Sequence, residues 1–182
     1  MEIVNNTFNK EKSINALLYF ASRVVRSDFH KIFKLLYFSD RLHLAKYGTP
    51  ITGDLYIAMD DGPVPSNIYD ILKMVRGDSY YKDSEGFSEL MAVDNWMYIT
   101  PKKEADLRKL SKNNLYVMNE CLENYGDLSF DEIREKSHDT AWRSTAKNYV
   151  ISLDDMSMEA GVHQDELDYV HENCKMQSFL NK

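Results

Sequence analysis

At 182 residues the chain has the length of one medium domain, which buries about 70% of the surface its unfolded form exposes and needs no disulfide or metal staple. Apolar residues make up 43% and charged residues 28%, the balance of a soluble globular protein, which argues against wholesale disorder. The formal net charge of −7, from 22 Lys and Arg against 29 Asp and Glu, argues against nucleic acid as the main partner.

Two cysteines, Cys121 and Cys174, are too few for a disulfide framework, and the polar start MEIVNNTFNK lacks the apolar core of a signal peptide, so a cytoplasmic protein is expected. No apolar run approaches the ~20 residues that span a bilayer, so a membrane role has no support.

In chain order, EKSINALLYFASRVV repeats Ile14, Leu17, Leu18, Ala21 and Val25 at three- and four-residue steps, which predicts a helix with one buried face. Asp28 is a plausible N-cap for HKIFKLLYFSDRLHLAKYG, and Gly48 closes that run as a C-terminal cap does. This second helix carries two apolar stripes, one of Ile32, Leu35, Leu36 and Leu42 and one of Phe33, Tyr37 and Leu44, and so reads as the central helix of the fold. The period then changes. Leu55, Tyr56, Ile57 and Met59 between turn residues predict a short strand, and Pro65 predicts the first turn of a helix that buries Ile68, Ile71, Leu72 and Val75. The stretch AMDDGPVPSNIYDIL is therefore a strand-to-helix corner, and its turn chemistry suits a rigid joint and a docking edge equally well.

RGDSYYKDSEG is a polar loop, and the runs Glu89 to Val93 and Trp96 to Thr100 flank Asp94-Asn95 as a tight hairpin. Ser111 precedes a helix with Leu115, Met118, Leu122 and Tyr125 on one face, closed by Gly126. Ser129 and Glu132 form a capping box for a short helix to about Lys136. Ser152 caps another ending near Gly161, and Val162 to Phe179 forms a weakly amphipathic last helix. With no repeat or linker, the chain reads as one compact domain over residues 1–182, α+β and predominantly α-helical, with a small antiparallel sheet or hairpin.

Chemical motifs are scarce. The common phosphate, dinucleotide, acyl-transfer and zinc-ribbon signatures are absent. His163, His171 and Cys174 on one surface helix do not close a tetrahedral site, so neither metal nor cofactor is expected. His138 beside Asp139 suggests a base with its orienting acid, but neighbours in a chain seldom point at each other, and capping by Asp139 with core packing by Trp142 is the favoured reading. Asp40 with His43 is the other pair from which a hydrolytic centre would have to be built. Lys31, Lys34 and Arg41 lie toward one side of the second helix, where a solvated face is favoured over an RNA groove. Twelve tyrosines and nine methionines supply residue types enriched at protein interfaces, although each one also suits a core.

Over about residues 10–145 the sequence resembles the Panacea domain of SocA-like antitoxins, also described as phage-associated proteins. The resemblance rests on Leu35-Leu36-Tyr37, Asp40, Gly48, Ile51-Thr52-Gly53-Asp54, Gly62-Pro63-Val64-Pro65, Tyr69, His138 and Trp142. Residues 146–182 then form a helical extension. The resemblance implies a small, mostly helical protein that neutralises a cognate protein toxin by direct binding, and with no motif for catalysis no enzymatic activity is expected. One relative instead delivers its toxin to a cytoplasmic protease as an adaptor. A toxin is thus the expected partner and a protease the alternative one. The expected interface joins the open edge of the second helix to the Gly62–Ser66 corner, through Lys34, Tyr37, Arg41, Val64, Ser66 and Tyr69. In that expectation the free N–H groups behind Pro65 receive an acidic side chain of the partner.

Overall fold

The computed structural model describes residues 8–180. The stretch MEIVNNT, part of the polar start, and the last two residues lie outside the described residues. The fold is α+β and mostly helical, with eight α-helices and two separate two-stranded antiparallel sheets among the described residues.

Helix α1 (Lys10–Ala21) starts at Asn9, whose side chain accepts from the Lys12 amide, and buries Ile14, Leu17, Leu18 and Ala21 as the spacing predicts. It stops four residues before Val25, which is fully exposed. The chain turns at Ser22 and Arg23, and residues 27 and 28 then lie alongside a later strand, with the Ser27 carbonyl accepting from Ile99, so the apolar stripe ends with the helix.

Helix α2 (Phe29–Tyr47) begins at Asp28 and ends at Gly48, whose φ of 66° puts it in the left-handed region that favours glycine. A Cβ at Gly48 would meet Tyr169 and Asn173 of the last helix at 3.0 and 2.9 Å, so the close approach demands glycine as well.

Strands β1 (Tyr56–Met59) and β2 (Gly62–Pro65) form a hairpin in the register Tyr56↔Pro65 to Met59↔Gly62. The expected strand-to-helix corner is therefore itself a strand. Its prolines are tolerated because they alternate. Ala58 and Tyr56, opposite Pro63 and Pro65, direct their backbone groups to residues 148–151 on the other edge, so neither proline owes a ladder hydrogen bond. Pro65 is the N-cap of α3 (Ser66–Arg76) rather than a member of its first turn. That helix buries Ile68, Ile71 and Leu72, with Val75 only partly covered.

Strands β3 (Met91–Asp94) and β4 (Tyr98–Pro101) make the second hairpin, whose three-residue connection Asn95-Trp96-Met97 begins one residue later than the turn the sequence suggests. Helix α4 (Lys112–Tyr125) is capped by Ser111. It buries Asn114, Val117, Met118 and Cys121, a stripe rotated from the predicted one, with Leu115, Leu122 and Tyr125 on its flanks. Helix α5 (Phe130–Ser137) carries the Ser129–Glu132 capping box, α6 (Thr140–Ser144) is capped by Asp139, and α7 (Leu153–Glu159) by Ser152. Helix α8 (Leu167–Leu180) closes the described chain.

Helix α2 lies at the centre, packed against α1, α4, α5, α7 and β2. The buried core extends from Ile14 on α1 to Cys174 on α8. Both cysteines are reduced and buried, and desolvation pushes the thiol of Cys121 up to about 11 and that of Cys174 up to about 12.

Candidate interaction surface

Two buried carboxylates fix the frame on which the surface is built. Asp40, fully buried on α2, accepts from the Ile51 and Thr52 amides at 2.8 Å, from the Tyr56 hydroxyl at 2.9 Å and from the Thr52 hydroxyl. Desolvation raises its carboxyl to about 6, against the pull of those donors. Asp54 accepts from the Leu55 amide at 2.7 Å, then from the Asn67 and Ile68 amides at 3.0 and 2.9 Å. It is the cap that Pro65 lacks. The Ser66 amide donates to the Leu55 carbonyl at 2.8 Å. The first-turn donors of α3 are thus engaged within the chain, which overturns the expectation that they await an acidic partner.

The basic residues of α2 do not form a solvated face either. Lys31 and Lys34 are each 1% exposed. Lys31 reaches the carbonyls at the C-terminal end of α4, donating to Gly126 at 2.9 Å and to Leu128, where the helix dipole favours a cation. Lys34 runs under the β1–β2 hairpin and donates to the Pro63 carbonyl at 3.0 Å. Desolvation lowers its ammonium to about 7. Gly62 holds a φ of 97° there, and a Cβ on it would come within 2.8 Å of Lys34 Cε. Arg41 pairs with Asp139, which also accepts from the Tyr37 hydroxyl at 2.9 Å and from the Trp142 amide at 2.9 Å. Burial and the neighbouring Asp139 carboxylate raise the Tyr37 hydroxyl far above its ordinary value.

The site residues expected from the sequence therefore fall into two groups and a remainder. Lys34, Val64 and Tyr69 line one cavity of about 410 Å³ between the start of α2 and the β1–β2 hairpin. Tyr37 and Arg41 belong to the Asp139 network, and Arg41 lines a separate cavity of about 150 Å³ against Glu120 and Glu159. Ser66 begins α3 and lines neither.

The larger cavity has an aromatic wall that the sequence reading missed. Phe29 and Phe33, one turn apart on α2, lie 5.6 Å apart between ring centres, and the Tyr69 ring meets them edge-on at 6.1 and 5.7 Å. The four-residue spacing of the phenylalanines is the signal that could have found them. His30 stacks on Phe130 at 3.8 Å with Nε2 3.2 Å from the Asp61 carbonyl. Burial, then the Lys34 charge, lowers this imidazole to about 4, so it stands neutral at pH 7. At the rim Asp60 pairs with Lys147 at 2.7 Å and Asp61 with Arg134 at 3.0 Å. An apolar, aromatic recess with a charge-paired rim is suited to receive a large apolar side chain.

The residues considered for other chemistry are dispersed. His138 stacks on Trp142 at 3.7 Å while Asp139 caps α6, so the two do not form a base–acid dyad. Asp40 bonds to the Ile51–Tyr56 segment, and His43 to the Thr49 carbonyl and to Asn114 at 3.0 Å. His171 Nε2 lies 2.7 Å from Asp154, while Cys174 is fully buried. Among the described residues no group of three His, Cys, Asp or Glu is placed to hold a metal, and no helix is long and apolar enough to cross a membrane.

Fold and surface together define a small, mostly helical α+β protein built round one buried helix, with an aromatic recess beside a proline-bearing hairpin. A family model for the SocA-like antitoxin Panacea domain matches residues 32–143, more than half of the chain, from within α2 to within α6. The chain belongs to that antitoxin family. Neither the curated proteins nor the solved structures contain a match to it.

Proposed function

We propose that this protein is the antitoxin of a toxin–antitoxin pair, and that it neutralises its toxin in the cytoplasm by binding it directly, without turnover. The recess formed by Phe29, Phe33, Val64 and Tyr69 carries the reading, because it offers a preformed apolar seat inside a rim whose charges are already paired. Lys34 supports this seat from below by bracing β2, and Tyr69 forms one wall of it. Tyr37, Arg41 and Ser66 set the positions of α6 and α3 around it.

The test is V64E. Val64 is half-buried on β2 at the edge of the recess, so a glutamate there puts charge into the seat without removing a core side chain. The purified protein should keep its melting temperature within a few degrees, lose binding to the product of the toxic reading frame beside its gene, and fail to protect cells. Protection by V64E equal to wild type would remove the recess as the contact. Deleting the host's cytoplasmic proteases should leave protection intact; loss of protection, with rising toxin levels, would establish the adaptor role instead.

A further inference from the structure

The β3–β4 hairpin turns at Asn95 and Trp96, with φ of 46° and 68°. They are the central residues of a β-turn closed by the Met97 amide donating to the Asp94 carbonyl at 3.2 Å, and positive φ at such positions favours asparagine and glycine, because a Cβ there crowds the following carbonyl. Asn95 suits its place. Trp96 does not, and its conformation costs free energy that a glycine would save. Burial within the fold does not offset that cost, since the residue is 69% exposed.

The indole is nevertheless held in place. Arg76 donates to the Trp96 carbonyl at 2.6 Å, and its guanidinium lies 5.6 Å from the centre of the Trp96 ring. Arg76 is clamped in turn by both oxygens of Asp78. The same guanidinium lies 5.4 Å from the Phe29 ring, which begins the wall of the recess. Trp96, Arg76, Phe29 and Tyr69 thus form one continuous strip from the hairpin tip into the cavity.

Charge identifies what covers it. The exposed cations bordering the strip have counter-ions on this chain, Arg76 with Asp78, Lys73 with Asp70 and Lys147 with Asp60, and Lys34, which has none, is buried beneath the hairpin on the Pro63 carbonyl. A polyanion or an anionic bilayer finds no exposed unpaired cation among them, and meets a molecule of net charge −7. That net charge draws a basic protein, and Trp, Tyr and Arg are the side chains that dominate binding energy at protein interfaces.

We infer that Trp96 is the anchor by which this chain grips its toxin, its indole entering an apolar pocket on a basic protein while the recess takes up the adjoining surface. The inference rests on the antitoxin reading above and adds to it a second contact, outside the expected corner.

The experiment compares wild type with W96G and W96N, both suited to positive φ, using the purified product of the adjacent toxic reading frame as the probe. Each variant should melt at or above the wild-type temperature, because turn strain is relieved, and should bind the toxin at least ten-fold more weakly. Toxin binding within two-fold of wild type by both variants overturns the inference. So does a fall in melting temperature that accounts for the lost binding, which would make Trp96 structural. A free wild-type dimer that W96G splits would assign the indole to a second copy of the chain and also overturns it. If wild type itself does not bind the toxin, the antitoxin reading fails and carries this inference with it.

Discussion

At the scale of single residues, Asp40 shows why a family motif and a binding site need not coincide. Its carboxylate gathers donors from the segment 51–56, and Asp54 within that segment caps helix α3, which begins twelve residues further on. The motif Ile51-Thr52-Gly53-Asp54 is thus engaged in building the frame. D40A should cost at least about 3 kcal/mol, since each hydrogen bond to a charged group is worth about 1.5–3 kcal/mol and several donors would be left bare. For a chain of this size that is a fall of about 6–12 °C in melting temperature, read by circular dichroism. D40N, which keeps the side-chain volume and one acceptor oxygen, should lose less; equal losses for the two would show that neither the filled volume nor the remaining acceptor matters, and that the lost carboxylate oxygen sets the whole cost. The letters Asp40, Thr52 and Asp54 stood out in the sequence, yet their partners did not, because the hydrogen bonds form only after α2 and the following loop have folded back on each other.

At the scale of elements, the contact between α2 and the β1–β2 hairpin depends on a buried lysine. Lys34 has an ordinary value of 10.5 and stands at about 7 in the fold, so the fold favours its neutral form. Below pH 7 it is charged in both folded and unfolded chains, and the full cost of burying the ammonium is present. As pH rises from 7 toward 10.5 the folded chain sheds its proton first, and that cost is progressively relieved. Wild-type stability should therefore rise relative to K34M between pH 6 and 8.5, measured by urea denaturation at fixed ionic strength; parallel curves would refute the assignment.

The sequence suggested the opposite environment for this lysine. Helical spacing shows which residues share a face, whereas the packing of α4, α5 and the hairpin decides whether that face meets water. The hairpin was obscured for a related reason. Two prolines in four residues read as a corner unless the alternation of ladder hydrogen bonds across β1 is known, and residues 148–151 set that alternation from far along the chain.

At the scale of the whole molecule, the core draws on α1 through α8, and we expect the chain to unfold as one unit. Calorimetry should give a single transition with equal calorimetric and van't Hoff enthalpies. A separate low-temperature melt of α8 would divide the chain into two units. The mostly helical α+β class, the bounds of α2, the three serine caps and the capping box of α5 were legible because periodicity and capping are local signals. The recess was not, since its walls come from α2, β2 and α3, which are distant in sequence. Trp96 was visible only as part of a strand, because the one-residue displacement of the turn has no local signature.

The two cysteines are fully buried and their thiols are held almost wholly protonated at neutral pH. Alkylating reagents attack the thiolate, so each cysteine is shielded both by access and by chemistry until the surrounding structure opens. The native chain should consequently resist labelling by maleimides. A cysteine introduced at an exposed position such as Tyr149 can carry a fluorophore or spin label without removing either natural thiol, and any slow labelling of Cys174 becomes a clock for the release of α8.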